Sequence, residues 1–172
     1  MERPMNQTVR QPLPAVPAKA LRDTLSNYAT GVAIVTTTDT DGTPYGVTVN
    51  SFNSVSLEPP LVLWSLALSA WSLPVFQRAS GFAVNILSHE QGEACKLFAS
   101  RDEERFAQVA WERGFNDLPV LDGNLATLVC DVWARHPGGD HEIMIGEVLD
   151  CTCTGGTPLV YCQGQLGALA VN

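Results

Sequence analysis

Six short polar side chains, Thr48, Asn50, Ser51, Asn53, Ser54 and Ser56, fall within nine residues of Pro44–Leu66, a stretch that otherwise reads as apolar or alternating strand. Hydroxyls and amides at that density can present donors and acceptors to a ligand, or can equally bond to the backbone around them. A polar strand-loop-strand with no ligand has the same composition. A second candidate is Gly138-Gly139-Asp140-His141, a turn that delivers one imidazole to the start of the strand that follows. Turn glycines permit the backbone geometry and Asp140 can bond to local N–H groups. A solvent-exposed turn histidine without a task would look identical.

Other chemistries find little support. His89, His136 and His141 stand apart without HExxH spacing, no GxSxG elbow is present, and the single-cysteine nucleophile signatures are missing. Eighteen acidic residues make chance carboxylate pairs inevitable, so such pairs carry no signal. The five cysteines, Cys95, Cys130, Cys151, Cys153 and Cys162, are an odd number without zinc spacing and read as reduced, mostly buried thiols. Cys151 and Cys153 would share one face of a strand. No metal site is expected. A net charge of −8 and ten scattered basic residues argue against a nucleic-acid partner. No run approaches the ~18 apolar residues of a membrane span, and no apolar signal segment opens the chain, so a cytoplasmic location is expected.

The elements that must position these residues read as follows. At 172 residues the chain suits one domain, Lys19 to Asn172, behind a flexible tail of residues 1–18 rich in proline. Leu21, Leu25 and Tyr28 lie at helical spacing in a short helix from Lys19 to Tyr28. The β-branched run Val32–Thr38, the turn Asp41-Gly42 and the stretch from Pro44 form a hairpin. Ser72 and Pro74 open a short helix, Gly81–Leu87 is a strand, and Ser88-His89-Glu90-Gln91 is a capping box starting a helix to about Phe98. Arg101–Trp111 reads as a charged loop with a brief helix and Gly114–Gly123 as turns, before strands at Leu125–Arg135, His141–Cys153 and Leu159–Gln163. About seven strands without regular strand-helix alternation favour a closed or nearly closed antiparallel barrel over a doubly wound sheet. No GxGxxG follows a strand, and Gly164 and Gly167 lie at the wrong end of the chain for one.

Four ordered blocks then carry a resemblance: TGVAIVTT at Thr30–Thr37, GVTVNSFNSVSLEPPLVLWSL at Gly46–Leu66, FAVNIL at Phe82–Leu87 and GDHEIMIGEV at Gly139–Val148. Together they resemble the flavin reductase family, the small reductase components that feed reduced flavin to two-component monooxygenases. The resemblance spans about Leu21 to Gly164. It implies a mainly β, antiparallel Greek-key split β-barrel that binds FMN, with a few short flanking helices. It also implies a homodimer, hydride transfer from NADH or NADPH to FMN or FAD, and a flavin-dependent monooxygenase as recipient. The alternative is a split barrel that binds flavin or haem without turnover. By resemblance, Thr48, Val49, Asn50 and Ser51 line the isoalloxazine ring, with Ser54, Val55 and Ser56 offering contacts nearby. Ser69 and Ser72 fall where relatives contact the phosphate, and the block Phe98, Ala99 to Arg101 where they close over the cofactor. His141 is the catalytic candidate on the nicotinamide side. The chain departs from its relatives at Leu68–Trp71, where many carry a cation, so that Arg78 or Arg101 would have to replace it. It departs again at Tyr161–Gln165, where relatives often carry basic residues.

Overall fold

In the computed structural model residues 15–169 are described, so the tail expected at residues 1–18 falls largely outside them. The Asp41-Gly42 turn joins β2 (Ala33–Thr38) to β3 (Pro44–Val49) as the β-branched run requires, with Ala33 opposite Val49 and Ile34 opposite Thr48. These strands belong to a seven-stranded antiparallel sheet in the order β3-β2-β6-β9-β10-β5-β4. The remaining members are β4 (Asn53–Leu57), β5 (Pro60–Ala67), β6 (Gly81–Ile86), β9 (Ala126–Gly138) and β10 (His141–Cys153). The sheet curls until the end of β3 meets β5. The Ser51 hydroxyl, just beyond β3, donates to the Ser65 carbonyl of β5 at 3.3 Å and accepts the Ser65 N–H at 3.0 Å. A barrel results, closed at this point by side chain rather than by ladder.

Two apolar cores lie on opposite faces of the β2–β3–β6 segment. Inside the barrel Val35, Val49, Trp64, Phe76, Phe82, Val84 and Met144 pack together, with Phe76 and Phe82 meeting the Trp64 ring edge-on at 5.1 and 5.7 Å. Outside it, Val32, Ile34, Leu87, Cys95, Phe98, Leu121 and Leu159 pack under α3 (Gly92–Ala99). Gly146 and Gly46 allow each core its density. A Cβ at Gly146 would meet the Phe82 ring and come within 2.9 Å of Cys130 Cβ, and one at Gly46 would lie 2.6 Å from the Phe98 ring.

Smaller pieces complete the fold: α1 (Ala18–Leu25), β1 (Thr30–Gly31), α2 (Leu73–Arg78), the pair β7 (Trp111–Arg113) and β8 (Pro119–Leu121), and the hairpin β11 (Leu159–Cys162) and β12 (Gln165–Ala168), which β1 joins. The capping box at Ser88–Gln91 forms as its sequence predicts, opening a short 3-10 turn ahead of α3. Three expectations change. The first helix ends at Leu25 and buries none of its residues. Pro119 lies in a short paired strand rather than in a turn, because Thr36 offers its carbonyl a buried hydroxyl donor. The cysteines are not mostly buried: Cys151 and Cys153 lie exposed where the long β10 hairpin runs past the core. Burial does push the Cys130 thiol up to about 12, leaving it inert. No described helix is long and apolar enough to cross a membrane.

One buried polar residue ties this sheet together. Asn85, with no exposed surface, donates to the Ile34 carbonyl and the Thr36 hydroxyl at 3.0 and 3.1 Å and accepts from Leu121 N–H and the Asn124 amide at 3.0 and 2.8 Å. Replacing it by alanine strands the Leu121 N–H, takes one donor from the Ile34 carbonyl and leaves the Asn124 amide with Thr127 Oγ1 at 3.3 Å, and each stranded buried group costs ~1–3 kcal/mol. Asn85→Ala is therefore expected to lose about 2 kcal/mol or more by equilibrium denaturation. A loss under ~1 kcal/mol would mean that water or repacking satisfies the orphaned groups.

Candidate active site

β3 ends where the barrel closes, and that position exposes its last residues to a concave surface. Val47, Thr48 and Val49, with Asn50 and Ser51 beyond them, form one wall of a cavity of about 520 Å³. The other walls are Ser65, Leu66 and Ala67 of β5, Ala70, and the β9–β10 turn with Gly138, His141 and Ile143. The two candidates singled out in the sequence thus face one space. They come together because His141 pairs with Ala67 while Ser65 is clasped by Ser51.

Two further cavities open off the same residues. One of about 300 Å³ runs between β3 and α3, past Cys95, Lys96, Ala99 and Tyr161. The other, of about 690 Å³, lies between α1 and the β11–β12 turn. Asn50 lines all three. Its side chain is exposed, and its amide makes no hydrogen bond to any described residue, whereas its neighbours are committed. The Thr48 hydroxyl donates to the Cys95 carbonyl at 2.7 Å, which anchors α3 to β3, and the Ser51 hydroxyl is the barrel clasp. Of this polar stretch, Asn50 keeps its full hydrogen-bonding capacity for a ligand.

His141 Nδ1 lies 2.8 Å from Asp140 Oδ1. That bond, and then the charge of the imidazole, holds the Asp140 carboxyl below its ordinary range. Asp140 therefore stays ionised at every pH where an imidazole titrates, and the bond at Nδ1 leaves Nε2 as the free ring nitrogen. Gly139, with φ of 77°, makes the turn that brings the two side chains side by side.

The other predicted site residues are dispersed. Ser54, Val55 and Ser56 lie on β4, outermost in the sheet beyond β5, and line none of the three cavities. Ser69 is exposed, and Ser72 is buried with a hydroxyl that has no partner among the described residues. Phe98 is 1% exposed, packed beneath Gly46, so its ring belongs to the outer core, while Ala99 beside it lines the α3 cavity. Arg101 is exposed and outside the cavities, and Arg78 holds Asp39 at 3.2 Å. The cation that touches the Leu68–Trp71 loop is instead Arg105. Its guanidinium lies 4.7 Å from the Trp71 ring centroid, and its donors go to the carbonyls of Gly46, Ser100 and Asp102. Burial lowers the affinity of Arg105 for its proton, and Asp102 partly offsets this. Ser65, Lys96 and Tyr161 went unrecognised in the sequence. Lys96 stands two residues before the Phe98–Arg101 block, a signal that was available.

Residues 25–170 match the family model described as "Flavin reductase like domain". The "FMN reductase (NADH) SmoA" of Agrobacterium fabrum is 42% identical over 150 residues, covering 87% of this chain and 85% of that protein. A "Flavin reductase" of Pseudomonas putida is 38% identical, covering 91% and 92%. Among solved structures, the Streptomyces globisporus NADH:FAD oxidoreductase SgcE6, in complex with NAD and FAD fragments, superposes with a TM-score of 0.84 at 32% identity, covering 92% of this chain and 98% of that one. On this match and these identities, the chain belongs to the flavin reductase like domain family.

Proposed function

We propose that this chain is an NADH-dependent flavin reductase that reduces FMN or FAD and supplies the reduced flavin to a partner monooxygenase. The observation that carries this reading is the unpaired Asn50 amide at the junction of three cavities, on the same wall system as His141. Bound there, the flavin supplies a ring that accepts a hydride from the nicotinamide and carries two electrons onward. The residues fit such a ring. Asn50 offers a donor and an acceptor to its polar edge, and Val47, Val49, Leu66, Ala67, Ala70 and Ile143 give the apolar wall that excludes water. No protein nucleophile is needed. His141, held at Nδ1 by Asp140, presents Nε2 to the cavity's second ligand and can hold or release a proton there.

Two features of the surroundings extend the reading. The described cysteines are all free, which suits a reducing cytoplasm. The β9–β10–β5–β4 half of the sheet exposes Trp133, Leu149, Val55 and Leu57, the last at 95%. Large apolar side chains left open on neighbouring strands suit a twofold partner, and a homodimer follows from this reading.

The purified chain should oxidise NADH when FMN or FAD is added, followed at the nicotinamide absorbance. No consumption above the buffer rate with either flavin would end the reductase reading. His141→Ala is expected to raise the NADH KM or slow hydride transfer while flavin affinity, read by fluorescence quenching, stays nearly unchanged. Wild-type turnover in that variant would return His141 to an ordinary turn residue. Light scattering at low concentration should give about twice the 18.5 kDa chain mass, and a stable, active monomer would contradict the dimer.

A further inference from the structure

We infer that Trp71, gripped by Arg105 and Tyr45, is a positioning residue that sets where Asp140 and His141 stand relative to β3. Its part in catalysis rests on the reductase reading, which leaves these three residues without a task. None of them lines any of the three cavities, so they act on the site without touching what it holds. Trp71 is 44% exposed, yet its ring is engaged. The Tyr45 ring lies 5.2 Å away with the planes inclined by 37°, and the Arg105 guanidinium lies 4.7 Å from the indole centroid. Arg105 is in no position to follow a moving partner. It is 2% exposed, and its Nε and two terminal nitrogens are committed to the carbonyls of Asp102, Gly46 and Ser100 at 2.6, 3.2 and 3.1 Å. A cation stripped of water and fixed in this way attracts an aromatic face more strongly than an exposed one does. Trp71 is thereby tied to β3, directly at Tyr45 and through Arg105 at Gly46.

The place of this tie along the chain gives it its consequence. The Ser51–Ser65 clasp joins β3 to β5 at one level, and the grip on Trp71 joins β3 to the segment after β5 at another. Every β3-side residue on the main cavity, from Val47 to Ser51, lies between the two ties in sequence. So do Ser65, Leu66, Ala67 and Ala70 of the facing wall, counted from the clasp to Trp71. Two ties fix the angle between the walls, where one would act as a pivot.

From Trp71 the hold reaches the imidazole through main chain. The pairing of β5 with β10 ends where Ala67 lies opposite His141, and one further rung, from the Leu68 N–H to the Asp140 carbonyl at 2.9 Å, carries it into the turn. The Ala70 N–H folds back on the Ala67 carbonyl at 2.9 Å, so the loop is tight and passes a displacement of Trp71 to Leu68. Leu68 and Ser69 are exposed and give the loop no side-chain anchor of their own, while α2, through buried Val75 and Phe76, holds only its far end. Asp140 therefore serves twice: its carboxylate meets His141 Nδ1, and its carbonyl takes the loop's rung. Releasing Trp71 loosens that rung and with it the peptide next to the imidazole. A misplacement of ~1 Å at a reacting centre can cost about a hundredfold in rate.

The test compares the wild type with Trp71→Ala, Trp71→Phe, His141→Ala and the double variant Trp71→Ala/His141→Ala, all as full chains. Amide hydrogen exchange, read by NMR without ligand, reports the rung directly. Protection of the Leu68 N–H is expected to fall roughly tenfold or more in Trp71→Ala and to stay within about threefold of wild type in Trp71→Phe, which keeps an aromatic face for Arg105. The amides of β6 should keep their protection in both. Equal losses at Leu68 and in β6 would make Trp71 a contributor to global stability alone and overturn the inference, as would an unchanged Leu68. In turnover, kcat/KM for NADH at saturating FMN is expected to drop about tenfold in Trp71→Ala and to recover in Trp71→Phe. In the His141→Ala background the same change should cost less than about twofold, because nothing is left to position. Losses that multiply in the double variant would separate Trp71 from His141 and overturn the inference. Should the wild type show no flavin-dependent NADH oxidation while Leu68 alone loses protection in Trp71→Ala, the grip on the turn stands and the reductase reading falls.

Discussion

Everything in the site hangs from the hydrogen bonds of one buried amide. Ile34 lies opposite Thr48 on one side and Asn85 on the other, and Asn85 lies opposite Thr127, so a single row crosses four strands. Asn85 uses both donors and both lone pairs within it and above it, reaching β2, β8 and the segment before β9. A strand that slipped by one residue would turn Asn85 into the apolar interior of the barrel with nothing to bond. That penalty specifies the register of β2 against β6, and through β2 the register of β3. Thr48 then has to face α3 and Val49 the barrel interior, so the chain leaves the sheet at Asn50 and Ser51 where the site needs them.

Close packing converts that register into a position. Gly46 lets the Phe98 ring lie against β3, and the Thr48 hydroxyl bonds the Cys95 carbonyl of the same helix, so α3 is held at two points along one strand. Arg105 fastens the following loop. A buried guanidinium without a carboxylate partner is costly to desolvate, and here main-chain carbonyls and the faces of Trp71 and Phe98 offset the cost. It therefore joins the Leu68–Trp71 loop to β3 and the end of α3. The charge is near but turned to architecture.

Short-range signals were legible in the residues, and long-range ones were not. The hairpin at Asp41-Gly42, the capping box at Ser88 and the barrel class all follow from local pattern or from the family blocks, which also single out Asn50 and His141, two residues that the fold brings to one cavity. Ser51 and Thr48 could be placed near a ligand, yet nothing local says that their hydroxyls close the barrel and anchor a helix, since both partners are more than ten residues away. Ser54–Ser56 look like a continuation of the site because they continue the sequence. Antiparallel pairing carries them to the edge strand instead, with β5 in between. The same blindness applies to Arg105 and to Gln163, whose contacts span 59 and 136 residues.

The division between committed and free groups bears on how such a site works. A hydroxyl already bonded to backbone cannot reorient for a ligand without leaving a buried carbonyl unpaired, so Thr48 and Ser51 shape the cavity more than they grip its contents. Under the proposed function, recognition then falls on Asn50, on exposed backbone, and on the apolar wall from Val47 to Ile143. A ring held by few directional bonds in a partly open cavity is positioned without being trapped. Under the proposed function the reduced flavin leaves for another protein, and binding the ring more tightly in every state would then slow release and gain nothing at the hydride-transfer step.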